Sequence, residues 1–182
     1  AANRRFTGKD FAEDRQQQAV SLALQRNFAV ITGGPGTGKT TVLASILALE
    51  LRRNPELKIS LAAPTGKAAS QIRQSIIAEL PYLNVSEELK GRLSSLPAGT
   101  VHSLLGLHGS SPKAKYHPDN PLPAELIAVD EASMLSLELL ARLCQALGPQ
   151  ARLLLLGDKD QLTSIDCGCV FADICKNENM LR

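Results

Sequence analysis

Tryptophan is absent from the 182 residues, tyrosine occurs twice and phenylalanine four times. So few rings argue against a recognition surface built from aromatic stacking platforms. No apolar run approaches the roughly 18 residues of a membrane span, and the opening segment, residues 1–11, is polar with no secretory-leader core. The expectation is a soluble, cytoplasmic chain. An excess of one charge is also missing: 20 Lys and Arg stand against 18 Asp and Glu, so any nucleic-acid contact has to come from a local patch. Three of the four cysteines, Cys167, Cys169 and Cys175, lie close together, with Cys144 apart. No C-x-x-C pair and no histidine at ligand spacing accompanies them, which favours reduced thiols over a metal site. No internal repeat is present, and 44% apolar content at this length suits one domain around one core.

What the sequence does contain is organised around Gly33-Gly34-Pro35-Gly36-Thr37-Gly38-Lys39-Thr40, which satisfies the G-x-x-x-x-G-K-[ST] pattern of a phosphate-binding loop. The apolar run Phe28 to Ile31 before it has strand length, and Thr41 to Leu51 after it has helical spacing of apolar residues. Backbone N–H groups of such a turn and helix N-terminus converge on one anion. Candidate nucleotide contacts are therefore Gly34, Pro35, Gly36, Thr37, Gly38, Lys39, Thr40 and Thr41. Lys39 would reach the β- and γ-phosphates, and the Thr40 hydroxyl would ligate Mg²⁺. The plainer alternative is a glycine-rich turn with no ligand.

Three further strand-like runs, 59–63, 126–129 and 153–156, are separated by helical sequence, which argues for parallel strands buried on both faces. Each ends in a polar cluster: Pro64-Thr65-Gly66-Lys67, Asp130-Glu131 and Gly157 to Gln161. Open α/β sheets bind ligands at the carboxyl ends of their strands, so these clusters are expected to meet at one edge. Asp130 would then hold Mg²⁺ and Glu131 would activate water, although an acidic pair opening a loop also serves as a helix cap. Gln161 would sense the γ-phosphate or place water; otherwise it is a polar loop residue.

Residues 10–26 read as a helix with Asp10 as its cap, 66–79 and 137–147 as two more, and 81–97 as a shorter amphipathic segment. Thr100 is placed to cap a helix that begins the run to Leu105, and the Pro- and Gly-rich residues 109–123, with Lys113, Lys115 and His117, read as a loop. Gln16 on the first helix is either a solvated residue or, through the donor and acceptor of its amide, a partner for adenine. Thr65, Lys67, Thr100, His102 and Ser103 are of the types that cap helices or hold nucleic-acid phosphates.

In order along the chain, QQQAV, GGPGTGKTT, LAAPTGKAA, TVHSLLG, VDEASM and LLGDKDQL resemble the Q-motif and motifs I, Ia, Ib, II and III of superfamily 1 helicases, specifically the RecD-like 1B branch. The resemblance spans nearly all of residues 10–176 and is strengthened by HSLLG and DQLTSIDCGCVFADI. It implies an α/β, RecA-like P-loop NTPase fold, a mostly parallel sheet with helices on both faces. It also implies ATP and Mg²⁺ as ligands, adenine contact by Gln16, catalysis by Lys39, Glu131 and Gln161, and metal binding by Thr40 and Asp130. Pro64, Thr65, Lys67, Thr100 and His102 would contact single-stranded DNA, and the partners implied are RecB and RecC. The implied activity is an ATP-driven DNA motor in double-strand break repair and recombination, against the alternatives of a stand-alone P-loop ATPase or kinase and of a nucleotide-binding scaffold. Family members continue into a second RecA-like domain that supplies an arginine to the nucleotide, whereas these residues stop soon after motif III. The expectation is thus a first motor domain, weakly active by itself, because such an arginine is worth on the order of 10³ to 10⁵ in rate.

Overall fold

The computed structural model describes residues 15–107, 114–161 and 170–176. Five strands form one sheet: β1 (Phe28–Thr32), β2 (Ile59–Ala63), β3 (Ala98–Thr100), β4 (Leu126–Val129) and β5 (Arg152–Gly157). Their spatial order is β1-β5-β4-β2-β3, and every pairing is parallel. The helices are α1 (Arg15–Gln25), α2 (Lys39–Arg53), α3 (Gly66–Glu79), α4 (Glu87–Ser94), α5 (Val101–Leu105), α6 (Leu137–Gln145) and α7 (Val170–Lys176). The α/β class and the parallel sheet stand as expected.

Continuous apolar runs form these strands because helices cover both sheet faces, and the side chains alternate between two cores. Leu61, Leu126, Ala128, Leu154 and Leu156 point to one side, where Leu43 and Leu47 of α2 meet Ile72 and Ile76 of α3. Ala62, Ile127, Val129, Leu153 and Leu155 point to the other, against Leu105, Leu143 and Phe171. All four residues of β4 are buried, as its central place requires.

Four strands were expected from apolar runs and a fifth is present. Ala98-Gly99-Thr100 has no such run, because a half-buried edge strand of three residues needs little apolar surface. It is held through β2, with Ala63 facing Thr100 in register and Leu61 N–H donating to Pro97 O at 2.9 Å. The amphipathic segment 81–97 contains α4 as its α-helix, capped by Ser86, whose hydroxyl accepts from Leu89 N, with the end of a 3₁₀ turn, Leu80–Tyr82, before it. The helix expected over 137–147 ends at Gln145. Asp10, Lys113, Cys167 and Cys169 lie outside the described residues; Cys144 and Cys175 are free thiols. Among the described residues no helix is long and apolar enough to cross a membrane.

Arg152 fastens the sheet at the end where β5 begins. Its guanidinium pairs with the Glu50 carboxylate of α2 and donates to Ala23 O at 2.7 Å and Arg26 O at 3.2 Å. One residue thereby joins the C-terminal ends of α1 and α2 to β5. The Glu50 side chain is only 8% exposed, so the pair lies in a desolvated setting.

Candidate functional site

The opposite end of the sheet carries the polar clusters. The chain leaves β1 at Thr32 and at once bonds the tip of β5: Gly33 N–H donates to Gly157 O at 3.2 Å, and Lys159 N–H to the Thr32 hydroxyl at 3.2 Å. The loop then closes on itself, with the Thr37 hydroxyl donating to Gly34 O at 2.8 Å. Gly38 ends it in the left-handed region, φ 87°, immediately before the first residue of α2. A Cβ there would also stand 2.2 Å from Gln16 Nε2. Backbone conformation and close packing thus both call for glycine.

Gln16 is half-buried and bonded to the loop rather than remote from it. Its Nε2 donates to Thr37 O at 3.0 Å, latching α1 onto the phosphate loop. Lys39 folds back over the same loop, its Nζ donating to Gly33 O at 2.5 Å and Gly34 O at 3.1 Å. Thr40 is half-buried in the first turn of α2. Thr41 turns its hydroxyl away toward α3, donating to Glu79 Oε1 at 3.0 Å. A nucleotide contact by Thr41 would therefore run through its backbone N–H, one of the groups a helix start leaves without an intrahelical partner.

Two strands away, at the tip of β4, Asp130 Oδ1 accepts from Glu131 N at 2.9 Å. Burial raises the Asp130 carboxyl above its ordinary range, while that hydrogen bond and the charge of Lys39 oppose the rise. Glu131 is also raised, first by burial and then by the charges of Asp130 and Asp158, with Lys39 again opposing. Glu131 therefore lies within electrostatic reach of Lys39, Asp130 and Asp158, and Asp130 within reach of Lys39. Glu131 is in the left-handed region, φ 52°, and among the described residues no other non-glycine residue has positive φ. That strained turn starts a short 3₁₀ segment, Ala132–Met134.

In the tip of β5 the sequence singles out Gln161, and the structure adds Asp158. Asp158 is buried; its Oδ1 accepts from Asp160 N at 3.0 Å, and its Oδ2 lies 4.0 Å from where a Cβ on Gly34 would stand. A carboxylate directly after an apolar strand and a glycine was the available signal. Gln161 accepts from the Ser133 hydroxyl at 3.5 Å, which ties the tip of β5 to the segment after β4. Ser133, buried and not singled out in the sequence, is the bridge. Gly157 lets these tips close: a Cβ there would meet Phe171 Cζ at 2.9 Å and the Ser133 backbone N at 3.1 Å.

The remaining candidates occupy the next two tips. Thr65 caps α3 by accepting from Ala68 N at 3.2 Å, and Thr100 caps α5 by accepting from Ser103 N at 3.0 Å. Both hydroxyls thus have capping work whatever else they contact. Pro64 is half-buried, and Thr65, Lys67 and His102 are exposed. The strand order places the tip of β3 four strand spacings from that of β1, about 19 Å at roughly 4.8 Å each. One rim therefore carries two neighbouring groups, with β1, β5 and β4 holding the first and β2 and β3 the second.

Among the described residues no group of three or more His, Cys, Asp or Glu is placed to hold a metal ion. A single carboxylate and a hydroxyl, Asp130 and Thr40, fit a Mg²⁺ ion that takes its other ligands from phosphate and water, as Mg²⁺ at nucleotide sites does.

Known proteins are similar to this chain in sequence and in fold. Residues 16–166 match the AAA domain family. The chain is 46% identical over 168 residues to the RecBCD enzyme subunit RecD of Mycobacterium tuberculosis, an alignment covering 88% of this chain and 28% of that protein. It is 36% identical over 160 residues to the ATP-dependent RecD2 DNA helicase of Deinococcus radiodurans, covering 88% of this chain and 19% of that protein. The UvsW helicase from bacteriophage T4 has a similar fold, with TM-score 0.57 at 14% identity over 86% of this chain and 54% of that one. The chain spans less than a third of the length of either of the two curated relatives. On a match that runs from the latch residue Gln16 past the tip of β5, the chain belongs to the AAA domain family.

Proposed function

We propose that this chain is the first RecA-like motor domain of an ATP-driven DNA helicase subunit that acts in double-strand break repair and recombination. The observation that carries the reading is the shared electrostatic neighbourhood of Lys39, Asp130 and Glu131 at the carboxyl rim of a parallel sheet. A phosphate-binding loop beside two desolvated carboxylates is the constellation needed to hold a triphosphate and direct water at its last phosphorus.

In this reading Gln16 reaches the adenine, and Gly36, Gly38 and Lys39 cradle the phosphates with the remaining N–H groups of the loop and the α2 N-terminus. Thr40 and Asp130 would hold Mg²⁺, which would supply neutralisation of phosphate charge. Glu131 orients the attacking water and accepts its proton; a carboxyl raised by burial is a better base near neutral pH than an ordinary one. Gln161 reports the γ-phosphate to the Ser133 segment through the hydrogen bond that joins them. Pro64, Thr65, Lys67, Thr100 and His102 hold the single-stranded DNA backbone at the neighbouring tips, a contact that positions without reading sequence. The name of the D. radiodurans relative supports the coupling to DNA, and that of the M. tuberculosis relative supports RecB and RecC as partners.

The test is ATP hydrolysis by the full-length protein with and without single-stranded DNA. Stimulation by DNA, with turnover lowered about 10²–10³-fold in Lys39→Ala through loss of a preorganised charge on the phosphates, is the expected result. Hydrolysis indifferent to DNA would replace the motor by a stand-alone ATPase.

A further inference from the structure

The hydrogen bond between Thr41 and Glu79 is not required by any role assigned so far. It joins residues 38 apart in sequence, in a part-buried setting. Thr41 directly follows Thr40, and its carbonyl is also engaged, accepting from the Ser45 hydroxyl at 2.7 Å. Glu79 is the last residue of α3, whose last turn has no basic residue. A carboxylate is disfavoured there by the partial negative charge of its own helix end. It faces instead the first turn of α2, which contains no acidic residue and whose partial positive charge favours an anion. The side chain is electrostatically matched to the neighbouring helix rather than to its own.

α3 has its other end at the second group of candidates. Thr65 caps it at the tip of β2, and Lys67 lies in its first turn. Fourteen residues give the helix a length of about 21 Å. Along that length Ile72 and Ile76 are buried in the core they share with Leu43 and Leu47 of α2. α3 is therefore a packed rod with one end at the proposed DNA contacts and the other hydrogen-bonded beside the proposed Mg²⁺ ligand.

We propose that Glu79 is a positioning residue: by holding Thr41 it makes α3 the link through which single-stranded DNA at Thr65 and Lys67 and nucleotide at the start of α2 change each other's affinity. This rests on the DNA-motor reading. The link is reciprocal by thermodynamic necessity, so it is measurable as a ratio of DNA affinities with and without nucleotide.

The experiment measures binding of a fluorescent oligo(dT) to the full-length protein, alone and with a saturating non-hydrolysable ATP analogue and Mg²⁺. The native protein is expected to show an affinity ratio of about 5 or more, in the range usual for coupled sites. Glu79→Ala should bring the ratio close to unity while DNA affinity without nucleotide and nucleotide affinity without DNA stay within about twofold, since the residue touches neither ligand. Glu79→Gln keeps an acceptor and should restore most of the ratio. Thr41→Val removes the donor at constant volume and should lower the ratio to the same extent as Glu79→Ala, with no further loss in the double variant. It also serves if Glu79→Ala does not fold. An unchanged ratio in Glu79→Ala or Thr41→Val overturns this inference alone, as does a matched loss of both separate affinities. A ratio of unity in the native protein, with both ligands bound, overturns the motor reading and the inference with it.

Discussion

Glu131 offers a sharp test because its backbone and its side chain make opposite demands. Its left-handed conformation, φ 52° and ψ 35°, costs an L-residue roughly 1–2 kcal/mol. Replacing it by alanine keeps that cost, and replacing it by glycine removes it. Glycine gives back about 0.4–1 kcal/mol through the greater freedom of its unfolded chain. The difference leaves Glu131→Gly more stable than Glu131→Ala by about 0.8 kcal/mol, or roughly 2 °C in Tm for a chain of this size. At an ordinary site the order is reversed. Both variants also remove a carboxyl that burial and Asp130 hold above its usual range, so neither is expected to fall below the native protein at neutral pH. Thermal and urea denaturation without nucleotide measure the order. Hydrolysis by the full-length protein should fall about 10²–10⁴-fold in both, the usual worth of a positioned base. A Glu131→Ala variant as stable as Glu131→Gly or more so would refute the strained turn.

Arg152→Met strands the buried Glu50 carboxylate and should cost about 3–5 kcal/mol in urea denaturation; adding Glu50→Leu should recover most of it, and a loss under 1 kcal/mol would show that the pair is solvated. For Asp130 and Glu131 the folded protein binds the proton more tightly than the unfolded chain, whose values are near 3.8 and 4.5. Their contribution to stability is thus most favourable below those values and is lost as pH rises through the raised ones. An Asp130→Asn/Glu131→Gln variant should exceed the native protein in Tm at pH 7 by a margin that shrinks toward pH 4, and a margin independent of pH would contradict this. Gly157→Ala should cost about 1–3 kcal/mol by pressing on Phe171 and the Ser133 backbone, and should lower hydrolysis as well; an unaffected rate would show that the closure of these tips does not matter to the chemistry.

The central strands were legible because burial on both faces demands unbroken apolar runs, and β4 matches 126–129 residue for residue. β3 was not, because an edge strand that contributes Ala98, Gly99 and Thr100 buries too little to leave a pattern. Thr65 and Thr100 as caps were readable from residue type, since a hydroxyl before a helix accepts from the third residue onward. The phosphate loop was readable for a similar reason, as backbone geometry dictates its glycines. What the sequence concealed were relations between distant segments. Nothing local announces that Gln16 latches onto Thr37, that Thr41 faces Glu79 or that Ser133 bridges to Gln161. Those contacts are set by strand order, and the β1-β5-β4-β2-β3 order is a property of tertiary packing.

The strand order also explains where the fold places its strength. At the carboxyl rim three acidic groups, Asp130, Glu131 and Asp158, are brought together, and the Coulombic effects on Glu131 show two of them opposing its ionisation. A non-glycine residue is held there at positive φ, and Lys39 has only loop carbonyls as its hydrogen-bond acceptors in these contacts. The clustered carboxylates and the positive φ each cost stability, and a phosphate-bound cation would relieve the repulsion among the carboxylates. At the other end the charges are already paired: Arg152 holds Glu50, Ala23 O and Arg26 O together. Between the two ends lie strands whose side chains alternate into two separate cores. A sheet anchored so firmly where its strands begin can tolerate repulsion where they end. The strain at the rim is therefore tolerated because of the stability behind it, and Arg152→Met should speed amide hydrogen exchange at Glu131 and Ala132 at denaturant concentrations too low to unfold the chain; exchange there unchanged until global unfolding would refute this.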